Sequence, residues 1–170
     1  KISKEESVTL VSIQAIGRLA ASPTGVAVDG AVPIVTDRFK KLFNTSNKAL
    51  FKAIVETLGK MANYAPAGAA LSNQGISALA VKTISDKGDA ATIVLALALI
   101  SSLAAHGTAA NQVISADGVN VIGAAMTQLS TNQDVLVSSV AALLNVHGFL
   151  TQGELTCGLP VVNGTLAALR

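Results

Sequence analysis

Tryptophan is absent from this 170-residue chain, aromatic residues amount to 3% of it, and there is one cysteine, Cys157. A core without aromatic bulk has to be assembled from Ala, Val, Leu and Ile, which suits closely stacked helices better than aromatic-rich sandwiched strands. One cysteine excludes an internal disulfide. A reducing, intracellular compartment is therefore expected, with Cys157 a buried and inert thiol. Charge is also scarce, at 13% of residues against about 25% in an ordinary soluble domain.

That scarcity is one-sided. Residues 1–60 hold nine Lys or Arg against five acids, whereas positions 88–169 hold no Lys or Arg and only Asp89, Asp117, Asp134 and Glu154 as acids. A half-chain of this composition is expected to be covered by another surface or to lie in a membrane. Its most apolar stretch, residues 90–105, offers 16 uncharged positions, short of the ~20 needed to span a bilayer. The stretch runs on into His106, Asn111 and Gln112, which do not suit lipid. Burial against protein is the expectation, with no membrane span. An apolar content of 51% excludes general disorder.

What the sequence does have is a repeat. The stretch at 92–105 aligns with residues 8–21, with residues 50–63 and with residues 135–148. Three columns line up: Ile13, Val55, Leu97, Val140; then Ile16, Leu58, Ile100, Leu143; then Leu19, Met61, Leu103, Val146. Beside the second column stand Gly17, Gly59, Ser101 and Leu144. The small residues there predict a seam where long helices approach closely and a neighbour's Leu fills the gap. A period near 42 with a constant apolar pattern is the signature of a helical solenoid, and the four second-column residues are all expected to be buried.

In chain order, Ser3 and Glu6 form a capping box that opens a first helix running to about residue 21. A short piece at 26–30 precedes a helix at 31–43, with Pro33 in its first turn. Residues 44–47 cap a long helix over 48–64. Residues 65–68, with Pro66 and Gly68, read as a break before a short helix at 69–73 and a medium helix at 76–85. The central long helix follows, then a short helix at 109–116 stopped by Gly118, and a medium helix at 119–129. Thr131 with Asp134 caps a last long helix to about 149. A short helix at 151–157 and a medium one at 160–170 end the sequence. Lys1 in place of Met reads as a processed product or fragment, without a leader.

Short, medium, long, with glycine between the first two and a capped turn before the third: this order resembles the armadillo repeat. The segments GISALAVKTIS, GVNVIGAAMTQLS and GLPVVNGTLAAL look like that family's second helix. The resemblance implies one all-α, right-handed α-solenoid over residues 1–170. It divides into a partial repeat at 1–21, repeats at 22–64, 65–106 and 107–149, and a partial repeat at 150–170. HEAT repeats, with two helices per unit, are the alternative. The uncovered repeat ends imply a longer array or a larger assembly, in which Val161, Val162, Leu166 and Leu169 find packing partners.

The resemblance further implies a binding groove along the third helices. Where peptide-binding members carry Trp and, one turn later, Asn, this chain has Gln14 and Arg18, Glu56 and Lys60, Ala98 and Ser102, Ala141 and Asn145. Only Asn145 fits. Without aromatic slots, and with Arg18 and Lys60 repelling cations, a basic extended peptide is not the expected ligand. A second candidate is the basic patch Arg38, Lys40, Lys41, Lys48 and Lys52, suited to an acidic protein segment, although cations at a helix C-terminus also favour the helix dipole. Sparse aromatics and a pI ≈ 8.8 argue against nucleic acid.

Catalytic signals are missing: there is no G-x-S-x-G, C-x-x-C, H-E-x-x-H or phosphate loop. His106 and His147, near the ends of successive long helices, lack a carboxylate or thiolate at ligand spacing, so no metal or other cofactor is expected. The expectation is a non-enzymatic scaffold, a structural subunit of a larger cytoplasmic complex of cytoskeletal or ciliary type. The alternative is a transient adaptor for acidic segments.

Overall fold

The computed structural model of the chain describes residues 4–21, 28–43, 47–87 and 89–147. These are helical, with no strand among the described residues. Helix α1 spans Lys4–Ala20; a 3-10 turn at Val28–Ala31 leads into α2, Val32–Leu42. Then follow α3 (Lys48–Ala62), α4 (Ala65–Asn73), α5 (Ile76–Lys87), α6 (Ala90–Ala104), α7 (Gly107–Ser115), α8 (Gly118–Gln128) and α9 (Gln133–His147). The capping box at Ser3, the thiol of Cys157, and the helices expected at 151–157 and 160–170 lie outside the described residues.

The repeat is visible in how the long helices end and begin. Ala20, Ala62, Ala104 and His147 close α1, α3, α6 and α9 at shifts of 42, 84 and 127 residues from the first. Their starts share a device as well. Asn47, Asp89 and Asn132 each accept a hydrogen bond from the amide three residues on, those of Leu50, Thr92 and Val135, at 3.1 Å. A side-chain acceptor there satisfies one of the orphan amides of a helix start, worth ~1 kcal/mol. The last cap is thus Asn132 rather than Thr131, because its carboxamide is one residue nearer the first turn.

Long helices pack in sequence, α1 on α3, α3 on α6, α6 on α9, while α4, α5, α7 and α8 fill the layer beneath. Three polar contacts between successive repeats share one offset of 44 residues. The Thr57 hydroxyl donates to the Ile13 carbonyl at 3.2 Å, His106 Nε2 lies 3.3 Å from the Ala62 carbonyl, and the Asn145 amide donates to Ser101. With successive helix ends 42, 42 and 43 residues apart, these offsets run the long helices parallel with a stagger of two, two and one residues (44 − 42, 44 − 42, 44 − 43).

The core follows the columns where a neighbour exists on both sides. Leu58 and Ile100 are fully buried, as are Val55, Leu97, Met61 and Leu103. Ile16 and Leu143, expected to be buried, are only half-buried, and Leu19 and Val140 are exposed at 60% and 36%. All four sit on α1 or α9, where no described element covers the outer side of the helix. Phe39, Phe43 and Phe51 form one buried cluster with ring centroids 5.6–6.1 Å apart, joining α2 to α3.

Three further expectations need correction. Residues 65–68 do not break the chain: they are the first turn of α4, where Pro66 needs no amide donor. The stop between α7 and α8 is made by Asp117, which takes the left-handed conformation (φ 59°) that Gly75 takes (φ 74°) one repeat earlier. Gly118 is instead packed against the Val113 carbonyl. The small column also has no common seam. Thr57 Oγ1 lies 2.8 Å from where a Gly17 side chain would begin, no neighbouring Leu fills that gap, and nothing lies within 4 Å of the corresponding point at Gly59. Gly59→Ala is therefore expected to stabilise the chain by about 0.5–1 kcal/mol, by lowering the entropy lost on folding a mid-helix glycine. A urea midpoint that falls would contradict the open space.

Candidate partner-binding face

The long helices leave one side free of the layer beneath, and the candidate groove residues lie on it. Gln14 and Arg18 on α1, Glu56 on α3, Ala98 on α6, and Ala141 and Asn145 on α9 are exposed; Lys60 and Ser102 are half-buried. They occupy equivalent places on four parallel helices and so lie in two rows. Their chemistry changes along the rows. On α3, Lys60 Nζ is 2.7 Å from Glu56 Oε1, so this cation is partly neutralised by its own helix. On α6 the same surface is Ala91, Val94, Ala98, Ser101 and Ser102, with no charge. On α9 it becomes Asp134, Val137, Ala141, Leu144 and Asn145, with one carboxylate at its start. Asn145 Nδ2 donates to both the carbonyl and the hydroxyl of Ser101, the latter at 2.6 Å, which commits that amide to holding α9 on α6.

The basic patch divides. Arg38, Lys40, Lys41 and Lys48 are exposed at the adjoining ends of α2 and α3. Lys41 pairs with Asp37 at 2.9 Å one turn earlier, a surface pair worth little. Arg38, Lys40 and Lys48 have no carboxylate partner among the described residues. Lys52 belongs elsewhere: its ammonium is 2.9 Å from Asp89, the residue that caps α6. Sequence reasoning placed Lys52 in a patch for partners and missed this tie. The recurring Asn47, Asp89, Asn132 column could have revealed the cap, though nothing local pairs it with Lys52.

Asp89 therefore serves two elements. Its Oδ1 takes the Thr92 amide at 3.1 Å and its Oδ2 the Thr92 hydroxyl at 2.7 Å. Burial, the largest influence, would raise its pKa, but the Lys52 ammonium and the two Thr92 donors together outweigh it and bring the carboxyl down to about 2. Because the folded value lies below the unfolded one, this stabilisation is complete above the ordinary carboxylate range and is lost as pH falls toward 2. Between about pH 5 and pH 2 the native chain should accordingly lose more stability than Asp89→Asn, which keeps a cap without a charge. Parallel loss in the two, followed by urea midpoints, would show that the Lys52 pair carries no weight.

The histidines are not a pair. Half-buried His106 reaches back to the Ala62 carbonyl and fills the space left by Gly68, while His147 is exposed at the end of α9. Gln112 Nε2 makes a similar backward tie, donating to the Ser72 carbonyl at 2.6 Å. No group of three or more potential metal ligands occurs among the described residues. Nor is any described helix long and apolar enough to cross a membrane.

No family model matches the sequence, and no curated protein does. Among solved structures, an engineered protein determined by the Northeast Structural Genomics Consortium superposes with a TM-score of 0.72 at 20% identity, over 86% of this chain and 59% of that one. The chain thus spans less than two thirds of the length of that neighbour, and at this identity the likeness concerns the all-helical fold alone.

Proposed function

We propose that this chain is a non-enzymatic scaffold of armadillo-type three-helix repeats, wound as a right-handed α-solenoid, that binds protein as a stable part of a larger intracellular assembly. Cytoskeletal and ciliary complexes are assemblies of the type meant. The observation that carries this reading is the free face of α6 and α9: small and apolar side chains, with no Lys or Arg from position 88 onward on any described element. A surface with no cation and one carboxylate, Asp134 at its edge, costs little to desolvate over most of its area, and its apolar contacts are insensitive to salt. A permanent protein partner fits these properties better than a transient ionic one.

One observation favours a second reading. Arg38, Lys40 and Lys48 are exposed cations, and with Arg18 they would suit an adaptor for acidic segments. The two readings separate in extracts of the source cell fractionated by size. As a stable part, the chain should elute in an assembly that survives high salt, and Ala98→Glu with Ala141→Glu should release it. Placing a carboxylate in a dry contact costs about 2 kcal/mol or more, roughly thirtyfold in affinity. Arg18→Glu with Lys60→Glu should leave the assembly intact. Release by charge reversal or by salt alone would favour the adaptor.

A further inference from the structure

Positive charge collects at one corner of the chain, where α2 ends and α3 begins. Arg38, Lys40, Lys41, Lys48, Lys52 and, from α5, Lys82 stand there with Asp37, Asp86 and Asp89. Six cations against three carboxylates leave +3, while the whole chain carries +2. Residues 44–46, between the two helices, add no charge. Each carboxylate is already used: Asp37 by Lys41, Asp86 by Lys82 and Asp89 by Lys52. The excess is Arg38, Lys40 and Lys48, all exposed and without a carboxylate partner among the described residues. The rings of Phe39, Phe43 and Phe51 tie the two helix ends together, and Lys82 Nζ, 5.6 Å from the Phe43 centroid, brings α5 to the same place. Helix physics accounts for Lys40, a cation in the last turn of α2. It does not account for Lys48. This residue opens α3, where a cation opposes the dipole, and that first turn holds no acid. It also stands four residues before Lys52, a like-charge spacing that weakens a helix. A residue that breaks two local rules without compensation inside the chain points to compensation from outside it.

From this we infer that the corner of α2, α3 and α5 binds a short acidic protein segment, with Arg38, Lys40 and Lys48 as its recognition residues. The inference rests on the acidic-segment reading given above, but confines it to one place. Arg18 and Lys60 stand in the last turns of α1 and α3. Lys60 is twelve residues from Lys48, about 18 Å along the helix, so these two cations lie outside the corner. The free face of α6 and α9 contributes nothing to it either. The chain can therefore hold a permanent partner on that face and an acidic segment at the corner together. Charge and aromatics decide the class of partner. An excess of three falls below the roughly four to eight cations of a membrane-surface cluster. All three rings at the corner are buried, which leaves no stacking surface for nucleic-acid bases. A segment carrying a few carboxylates matches what is there.

The test follows a labelled peptide of alternating Glu and Gly by fluorescence anisotropy at low salt. The full 170-residue chain should bind it saturably, with affinity that falls as salt rises toward about 0.15 M. Arg38→Glu with Lys48→Glu should weaken binding about tenfold or more. Its urea midpoint should hold or rise, since Lys48→Glu puts an acid in the first turn of α3. A midpoint that falls would assign these cations a structural role and overturn the inference. Arg18→Glu with Lys60→Glu changes the net charge equally and should bind as the native chain does. Binding lost only in that second variant would keep the acidic-segment reading and overturn this site. A native chain that does not bind the peptide overturns both. Equal affinity for an oligothymidylate of matched charge, or for vesicles containing phosphatidylserine, would overturn the assignment to a protein segment.

Discussion

Leu58→Ala is expected to destabilise the chain by about 2–5 kcal/mol, and Ile100→Ala by a similar amount. Both side chains are fully buried at equivalent places on α3 and α6, each flanked by a long helix on either side and by the layer beneath. Truncation removes apolar contact and leaves a cavity that two rigid neighbours cannot close. The same change at Ile16 or Leu143 should cost less than half as much, because these column mates are half-buried on α1 and α9. Urea denaturation of the four variants checks the pattern. Equal losses would mean that the outer helices are as well covered as the inner ones, contrary to the structure.

Gly68→Ala is the second large effect, expected at about 1–3 kcal/mol. A methyl at this place would lie 2.8 Å from the Ala62 carbonyl and would also overlap the His106 ring. The ring could swing aside, but the backbone oxygen belongs to the end of α3 and cannot. His106→Ala should therefore relieve only part of the penalty. Complete relief in the double variant would place the clash on the imidazole alone, and no penalty at all would show that α4 is free to shift away from α3.

The particular residues explain what could be read beforehand. Columns such as Val55 and Leu97 were legible because an apolar side chain at a fixed period has few places to go other than a shared core. Positions 14, 18, 56, 60, 102 and 145 were named through the armadillo resemblance, and they lie at exposed or half-buried places between the columns. The ties between repeats were not legible. Thr57 with Ile13, His106 with Ala62, and Gln112 with Ser72 each join a side chain to a backbone carbonyl, and a carbonyl leaves no trace in residue identity. Lys52 was misplaced because a cation near other cations looks like a patch until its partner, 37 residues later, is known to cap the next helix. The glycine column misled for a related reason. Gly17, Gly59 and Ser101 share a register but not an environment, and stagger between helices decides what each one meets.

That stagger is the centre of the account, and a disulfide reads it directly. An ideal Cβ on Gly17 lies 3.5 Å from the Cβ of Thr57, within the separation a disulfide bridges, whereas nothing stands within 4 Å of the corresponding point on Gly59. With Cys157→Ser to remove the native thiol, Gly17→Cys combined with Thr57→Cys should cross-link nearly completely under mild oxidation. Gly17→Cys combined with Gly59→Cys should remain reduced. Cross-linking of the second pair in preference to the first would place the long helices in a different register and contradict the stack described above.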